Sequence, residues 1–351
     1  MKRSLLMARD RALYRGLAFL ERETRRPERL AAFGSALLYS LSFMATTSRD
    51  ATVRAYTRQL ALRSFRAWQA YWPGQVEAHD ADTVSELVHA YGAAERLGLR
   101  FPRLKRELLA LSRRFPASDY LWFDPNHEPP PTNVPETCAC GWSNPRGRRR
   151  CVNPECRARL SRMSPLRLWT ISLTAAFCGD RNGVPFGVRY ERMMRWLPHM
   201  RGYAHPRRGV GGFYDSAYAI SHVVYTLNDY GVWLLDPRLL PHEFEYLTTH
   251  LEAALEVGDP DMVGEFLDSL RAFGLDNEDP HVAAGIGFLV ETQNRDGSWG
   301  ERDGALDYTR FHATWAALDG LRDFAWRGAG LSFPRLAPSL RRWARLAPPV
   351  S

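Results

Sequence analysis

The chain has 351 residues, enough for two domains or for one large helical domain that carries an insertion. Its content of 45% hydrophobic and 12% aromatic residues excludes a disordered or low-complexity protein. The formal net charge is +8, but the 47 basic residues are scattered among 39 acidic ones, and this argues against a nucleic-acid partner.

Residues 1–125 are predicted to form a helical N-terminal region. Charged residues between positions 9 and 15 interrupt any apolar stretch near the start, so no signal peptide is expected. The uncharged run Leu30–Ser48 is as long as a membrane span, but its Ser, Thr and Gly residues favour a buried helix. We therefore expect a cytoplasmic, globular protein without a membrane span. Further helices are predicted over 82–92 and 104–114.

Residues 126–160 are predicted to form a proline-rich linker followed by a cysteine module. Two close cysteine pairs, Cys-x-Cys and Cys-x4-Cys, supply the four thiolates that tetrahedral zinc requires. Four thiolates fill the coordination sphere, so this zinc would be structural. Disulfides are the alternative, which a reducing compartment disfavours. The predicted zinc ligands are Cys138, Cys140, Cys151 and Cys156.

Residues 161–351 are predicted to form a second helical domain. No stretch alternates with period two, so the predicted fold class is all-α. Short loops of Gly, Pro and Asp separate the helices, which should therefore pack antiparallel to their neighbours in sequence. The helices predicted here span residues 217–231, 241–257, 260–273, 279–294 and 308–322.

One motif near the C-terminus resembles a known superfamily. The turn Gln293-Asn-Arg-Asp-Gly-Ser-Trp-Gly300 precedes a helix from Tyr308 that contains Thr-Trp-Ala-Ala-Leu-Asp-Gly-Leu. This pair resembles the Gln-Trp repeat and inner helix of the squalene and terpene cyclases, and the helix also resembles that of the protein prenyltransferases. The resemblance covers residues 293–321 and implies an α/α toroid, in which inner and outer helices alternate around a cavity.

The reaction motifs of that superfamily are absent from the sequence. It contains neither the Asp-x-Asp-Asp acid motif nor the Asp-Asp-x-x-Asp diphosphate motif, and Asp259-Pro-Asp261-Met262 matches the first only in half. The Asp-x-Cys zinc pair of the prenyltransferases is missing too. The resemblance therefore implies the fold without the reaction.

A second repeat is visible in two of the predicted inner helices. His222-Val-Val-Tyr-Thr-Leu-Asn-Asp229 and His312-Ala-Thr-Trp-Ala-Ala-Leu-Asp319 share the pattern His-x2-aromatic-x3-Asp. Positions i and i+7 lie about 20° apart around a helix, so each helix presents a histidine and a carboxylate on one face. Asp215 and Asp307 precede the two histidines and are predicted at the helix starts. Taken alone, each histidine is better explained as a core residue, and the matching pair brings the two interpretations to near balance.

The third inner helix supplies carboxylates. Asp261 has the position of a first-turn acid facing the helix dipole. Glu265 and Asp268 lie further along the same face, among apolar residues, where an unpaired charge is costly. On parallel inner helices, His222, Glu265 and His312 should converge. They would form either a 2-His-1-carboxylate metal site or an acid/base dyad.

We therefore expect a biosynthetic enzyme with structural zinc that acts on a small hydrophobic substrate, isoprenoid-like or another natural product. In the metal-dependent version of the site, the His/Glu set holds a second metal (Fe, Zn or Mn). A metal-free terpene-type cyclase is one alternative. A non-catalytic scaffold whose zinc knuckle binds protein or nucleic acid is the other, and the oligomeric state stays open. The candidate site residues are His222, Glu265 and His312 as reactive groups, Asp268 and Asp229 as secondary ones, and Tyr225, Trp315, Arg207 and Arg208 as substrate contacts.

Overall fold

The computed structural model describes residues 3–71, 80–301 and 307–347, apart from the side chains of Tyr71 and Arg208. Within these ranges the chain is helical, and its extended segments form only isolated bridges, so the predicted all-α class is confirmed. The helices of the N-terminal part are α1 (Arg3–Thr24), α2 (Pro27–Thr47), α3 (Ala51–Trp68), α4 (Ala81–Arg96), α5 (Pro102–Ser112) and α6 (Ala117–Leu121). Those that follow the cysteine module are α7 (Pro165–Arg181), α8 (Tyr190–Met194), α9 (Leu197–Met200), α10 (Val210–Asn228), α11 (Pro241–Val257), α12 (Pro260–Ala272), α13 (Pro280–Thr292), α14 (Asp307–Leu321) and α15 (Ala337–Trp343).

Local sequence explains where most of these helices begin. A proline occupies the first position of α11, α12 and α13, where its missing N–H costs nothing. Asp259 and Asp279 cap α12 and α13 by accepting hydrogen bonds from backbone N–H groups. One predicted start is wrong: α10 begins at Val210, so Asp215 lies inside the helix. Its Oδ2 accepts a 2.6 Å hydrogen bond from the Ser164 hydroxyl at the start of α7.

Six helices contact one another in a closed circuit. Helix α2 packs against α4, α4 against α7, α7 against α10, α10 against α12, α12 against α14, and α14 returns to α2. Helices α10 and α12 run parallel, because their contacts advance together along both. Tyr214 donates a hydrogen bond to Asp259, Tyr218 to Asp261 and Ser221 to Glu265. Helices α11 and α13 pack against α12 and supply no residue to the cavity described below.

The hydrophobic core is continuous across the two predicted helical regions. One cluster of buried side chains extends from Ala12 to Trp343, and Gln293 Nε2 donates a 2.8 Å hydrogen bond to the Ala12 carbonyl oxygen. The predicted boundary near residue 125 therefore does not coincide with a gap in the core. The cysteine module has a small core of its own, made of Cys138, Cys151 and Leu160.

Helix α2 contains the apolar run noted in the sequence. Among the described residues it is the one helix long and apolar enough to cross a membrane, with a mean hydropathy of 1.4. In this fold 78% of that apolar window is buried inside the protein, as in a central core helix. Leu37, Leu38 and Leu41 have no exposed surface at all.

Candidate functional site

The six helices of the circuit surround a cavity with two adjoining chambers. The outer chamber has a volume of about 950 Å3 and reaches the exposed Trp122, whereas the inner chamber, of about 230 Å3, lies deeper among aromatic rings. Both lie partly between α4 and the C-terminal helices, so the N-terminal region contributes directly to the site. The residues that line both chambers are Glu86, His89, Thr174, His222, Tyr308 and His312.

An ion pair between α12 and α14 lies where the chambers meet. His312 Nδ1 is 3.0 Å from both Oδ1 and Oδ2 of Asp261, and the Tyr218 hydroxyl donates to the same Oδ2 at 3.0 Å. Burial disfavours the charged imidazole, but the Asp261 carboxylate outweighs it and raises the pKa of His312 to about 9. Burial alone would raise the pKa of the Asp261 carboxyl, but His312 outweighs this effect and holds that pKa below its ordinary value. The pair is therefore ionised at neutral pH.

Glu265 lies one turn beyond Asp261 on α12 and behaves differently. Its Oε2 accepts a short hydrogen bond from the Ser221 hydroxyl, and its side chain is almost fully buried. Burial, together with repulsion from Asp261, raises the pKa of Glu265 well above its ordinary value. These surroundings therefore favour the neutral, protonated form of Glu265, which is a proton donor within the cavity.

His222 faces Glu265 from α10. Its Nδ1 lies 2.7 Å from the carbonyl oxygen of Tyr218, so Nδ1 carries the hydrogen and Nε2 keeps its lone pair. Nδ1 also lies 3.3 Å from Ser221 Oγ and 3.9 Å from Glu265 Oε2. Burial lowers the pKa of His222 to about 4, and repulsion from His312 adds to this. His222 is therefore a neutral imidazole that can accept a proton.

The structure brings the three predicted reactive residues, His222, Glu265 and His312, to one cavity. It also adds Asp261 to the site. The sequence indicated for this residue only the role of a first-turn acid that faces the helix dipole. The set of ligand atoms close enough to hold a metal contains Asp261 in place of His222. One atom each from Asp261, Glu265 and His312 lies within 4.8 Å of the others.

The two predicted aromatic contacts both line the inner chamber. Tyr225 and Trp315 belong to its wall, and the Tyr225 hydroxyl donates a 3.2 Å hydrogen bond to the backbone oxygen of Glu265. Trp299, by contrast, is fully buried away from the cavity. Its Nε1 donates to the Leu289 carbonyl on α13 at 2.7 Å, and its backbone N–H donates to Thr314 Oγ1 on α14 at 3.1 Å. This turn thus joins α13 to α14.

Two carboxyl groups form the floor of the inner chamber. Asp268 is 4% exposed, and burial together with the neighbouring Asp319 raises its pKa to about 8. Its Oδ1 is enclosed and has no hydrogen-bond partner. Asp319 accepts hydrogen bonds of 2.5 Å from Trp315 Nε1 and from Arg322 Nε. Asp268 thus belongs to the cavity, as predicted, but at a different depth from the ion pair.

Asp229, the other predicted secondary residue, lies apart from both chambers. It caps the C-terminal end of α10 in a left-handed conformation with φ of 56°. Its carboxylate is buried and bound at 2.7 Å by Arg96 of α4 and by Arg181 of α7. These contacts give Asp229 a structural role, since it ties three helices of the circuit together. The predicted catalytic role is not supported by its position.

The two predicted arginine contacts also lie away from the cavity. Arg207 is exposed on a short turn, Pro206–Arg208, and lines neither chamber. The side chain of Arg208 lies outside the part of the chain that the structure describes. Among the described residues, the arginine that does line the outer chamber is Arg167, whose guanidinium pairs with Glu136 at 3.1 Å.

The cysteine module brings its four sulfur atoms together. Cys138 Sγ is 3.6 Å from Cys156 Sγ, and Cys140 Sγ is 3.7 Å from Cys151 Sγ. Tetrahedral zinc with Zn–S bonds of about 2.3 Å would hold sulfur atoms about 3.8 Å apart, so the spacing fits. The side-chain amides of Asn144 and Asn153 approach Cys151 and Cys140 at 3.8 and 3.9 Å, as outer partners of bound thiolates do.

Comparison with known proteins gives no relative from which the function could be transferred. No protein-family model matches the chain, and no curated protein or solved structure is significantly similar to it. The candidate site is therefore defined by its own geometry, in which an ionised Asp–His pair, a neutral acid and a neutral base meet in one aromatic cavity.

Proposed function

We propose that this protein is an enzyme that transfers protons to and from a small, largely hydrophobic substrate. The observation that carries the proposal is the Asp261–His312 ion pair, which lies beside the neutral acid Glu265 in a cavity walled by aromatic rings. Buried groups whose pKa values are displaced in opposite directions are typical of catalytic sites. Five aromatic side chains line the inner chamber and offer apolar surface to a substrate: Tyr39, Tyr225, Tyr230, Tyr308 and Trp315.

The fold that we propose for this enzyme is an α/α toroid of the kind seen in terpene cyclases. The closed circuit of α2, α4, α7, α10, α12 and α14 would be its inner ring. Its support is that α10 and α12 run parallel and that α11 and α13, which alternate with them in sequence, stay outside the cavity lining. The Gln293–Gly300 turn, which joins α13 to α14, is consistent with the Gln-Trp resemblance.

Each group in the site has a distinct role in this proposal. Glu265 donates its proton to the substrate, while Nε2 of His222 removes a proton from another substrate atom. The Asp261–His312 pair places a positive imidazole at the position where negative charge would develop on the substrate, and Asp261 fixes the ring orientation. Such a donor and acceptor support a reaction without net redox change, such as an isomerisation or a cyclisation.

A hydroxyl group offers a path that resets the site. After turnover Glu265 lacks a proton and His222 carries an extra one. Ser221 Oγ lies 3.3 Å from His222 Nδ1 and donates to Glu265 Oε2, so it can pass the Nδ1 proton to Glu265. The proton taken up at Nε2 then stays on the ring, and the resting tautomer returns when Nε2 loses that proton to solvent and Nδ1 regains one. In this proposal Ser221 is a positioning residue. Loss of its hydroxyl should slow the return of the proton and should have a smaller effect on substrate binding.

A metal-dependent reaction is the second candidate. The nitrogen and two carboxylate oxygens of His312, Asp261 and Glu265 lie within 4.8 Å of one another, and this donor set suits Fe, Zn or Mn. Such a metal would supply Lewis-acid or redox chemistry when bound. In that case Asp261 takes the ligand position that the sequence reasoning gave to His222. Separately, we propose that the Cys138–Cys156 module holds structural zinc, because its sulfur spacing fits that metal.

One experiment separates these candidates. Purified wild-type protein is incubated in D2O with an organic-solvent extract of its source cells, and the mixture is followed by mass spectrometry. We expect particular apolar compounds to be converted, or to take up deuterium, with the wild type and with the matched control Asp236→Asn, whose carboxylate pairs with Arg238 on an exposed loop. Glu265→Gln should abolish the change.

Metal analysis of the same samples completes the design. Zinc at one equivalent per chain in the wild type and in Asp261→Asn supports the metal-free mechanism. A second metal that is lost in Asp261→Asn and in His312→Ala supports the metal-dependent one. Conversion that persists undiminished in a Glu265→Gln, His222→Gln double variant rules out the proton-transfer proposal.

A further inference from the structure

Asp268 is a buried carboxyl group that the proton-transfer chemistry leaves unused. It lies on α12 three residues beyond Glu265, and it lines the inner chamber. Its Oδ1 has no hydrogen-bond partner although the residue is 4% exposed. An unpartnered carboxyl oxygen in such a place is costly, and native proteins seldom keep one without a reason. A ligand group that enters the chamber would provide the missing partner.

The neighbouring carboxylate defines the charge of the ligand group. Asp319 lines the same chamber, but its two oxygens are already bound by Trp315 Nε1 and Arg322 Nε. Asp268 therefore has the free oxygen, and it is repelled by Asp319, an effect that Arg322 and Arg271 oppose. A positively charged group would relieve the repulsion between the two carboxyl groups and would satisfy the unpartnered oxygen at the same time.

The remaining walls favour an ammonium group over a metal ion. The rings of Tyr225, Tyr230 and Trp315 line this chamber, and ring faces attract ammonium ions. A divalent metal needs several oxygen ligands, but only one of the two carboxyl groups still has an oxygen to offer. Asp268 and these rings offer an amine both a hydrogen-bond acceptor and aromatic faces, and a bound positive charge would favour the ionised form of Asp268.

We infer that the inner chamber binds a protonated amine at one end of the substrate, with the ammonium N–H donating to Asp268 and the adjoining carbons packing on Tyr225 and Trp315. The inference rests on the proposed function, because it names the class of substrate for the same cavity. Three residues of helix rise by about 4.5 Å. The atom that exchanges protons with Glu265 would therefore lie about 5 Å from the amine nitrogen.

The test uses n-pentylammonium chloride as the probe and isothermal titration calorimetry on the full-length protein. n-Pentanol is its uncharged analogue, and Asp236→Asn is the matched carboxyl control. We expect the ammonium to bind to the wild type, to the control and to Glu265→Gln, whereas n-pentanol should bind far more weakly. In Asp268→Asn the affinity for the ammonium should fall about tenfold or more, since a charge-assisted hydrogen bond is lost. Asp268→Ser serves as a second variant, and melting temperatures report that each variant is folded.

The outcomes separate this inference from the proposed function. Equal binding of n-pentanol, or undiminished ammonium binding in folded Asp268→Asn and Asp268→Ser, overturns the amine site. Ammonium binding that depends on Asp268 upholds it even if Glu265→Gln leaves conversion intact, a result that would reject the proton-transfer mechanism alone. Competition by Mg2+ or Zn2+ at the same affinity as the ammonium would also overturn it, because the site would then be a metal site.

Discussion

A β-carbon added to Gly264 of α12 would lie 2.5 Å from the carbonyl oxygen of Ala316 on α14, so the two helix backbones are in direct contact. The contact continues along the interface, where Gly320 lies close to the carbonyl oxygen of Gly264. This close approach brings the preceding turns of both helices together. Asp261 and His312 can form their ion pair because these glycines carry no side chain.

Gly264→Ala should therefore destabilise the protein by about 1–3 kcal/mol, because the added methyl group has no space between the backbones. Equilibrium unfolding in urea measures this change. Gly287→Ala on α13 is the matched control, since a β-carbon there meets nothing within 4 Å. The control should be neutral or stabilising by up to about 1 kcal/mol. Equal effects of the two substitutions would contradict the close packing.

Trp299→Ala should cost about 3–5 kcal/mol of folding free energy, because it removes a fully buried ring and the hydrogen bond to Leu289. Thermal and chemical unfolding would report the loss. Trp142→Ala, at a side chain that is 51% exposed, is the control and should change stability little. An unchanged melting temperature together with lost conversion would assign Trp299 to the reaction and not to the fold.

Cys151→Ser should release about one zinc per chain and make the segment 126–160 easier to cleave with protease, because a metal site of this type stabilises its own fold. Metal analysis and limited proteolysis measure the two effects. Cys178→Ser is the control, since Cys178 is buried in the main core, away from the module. Full zinc content in the Cys151 variant would reject the zinc site.

The pKa values of His222 and His312, two of the three histidines that line the cavity, should be shifted in opposite directions, and NMR of the labelled imidazoles can follow both. His312 is expected near pH 9 and His222 near pH 4. In Asp261→Asn the pKa of His312 should fall, since burial is then no longer opposed by the carboxylate. Two midpoints close to the ordinary value of 6.5 would contradict the pairing.

These shifts have opposite consequences for folding stability. The raised pKa of His312 stabilises the fold below pH 6.5, and this contribution is lost as the pH rises through about 9. The lowered pKa of His222 gives a contribution that is complete above pH 6.5 and is lost as the pH falls towards 4.

In Asp229→Asn the free energy of unfolding should depend less on pH in the acid range than it does in the wild type. Burial alone would raise the pKa of Asp229, but Arg96 and Arg181 outweigh it and hold this pKa below the ordinary value of 3.8. A depressed carboxyl pKa stabilises the fold above pH 3.8 and loses that contribution as the pH falls through the lower, folded value. Unfolding free energies between pH 5 and pH 2 compare the two proteins. The variant should be less stable at pH 7, and identical profiles would contradict the role of the ion pairs.

The sequence was sufficient to predict α11, α12, α13 and α14 to within about two residues at each end, whereas the predicted start of α10 was about seven residues too late. Caps such as Asp259 and Asp279, with a proline after each, are local signals, and they marked the starts of α12 and α13. The role of Asp261 could not be predicted in the same way. Interaction with the helix dipole is enough to explain an acid in the first turn, so nothing local indicated a further role for Asp261. Its partner His312 lies 51 residues away in the sequence.

The closure of the six-helix circuit could not be predicted from local sequence signals either. Glu86 and His89 line both chambers, but nothing near them in sequence indicates that α4 would face α10 and α14. The difference in pKa between His222 and His312 could not be predicted from the sequence either. His222 and His312 occur in the same pattern, but only His312 meets a carboxylate at 3.0 Å, so their pKa values move apart. Such differences depend on which helices become neighbours in space.

The return of α14 to α2 has a consequence for the order of events during synthesis. Arg322 donates hydrogen bonds to Thr47 and Ser48, and its contact with Thr47 joins residues 275 positions apart. A chain emerging from the ribosome therefore presents the apolar inward faces of its first helices long before their last partner exists. Contacts this distant in sequence slow folding and prolong that exposure. The helix circuit thus cannot close before α14 and Arg322 have been synthesised.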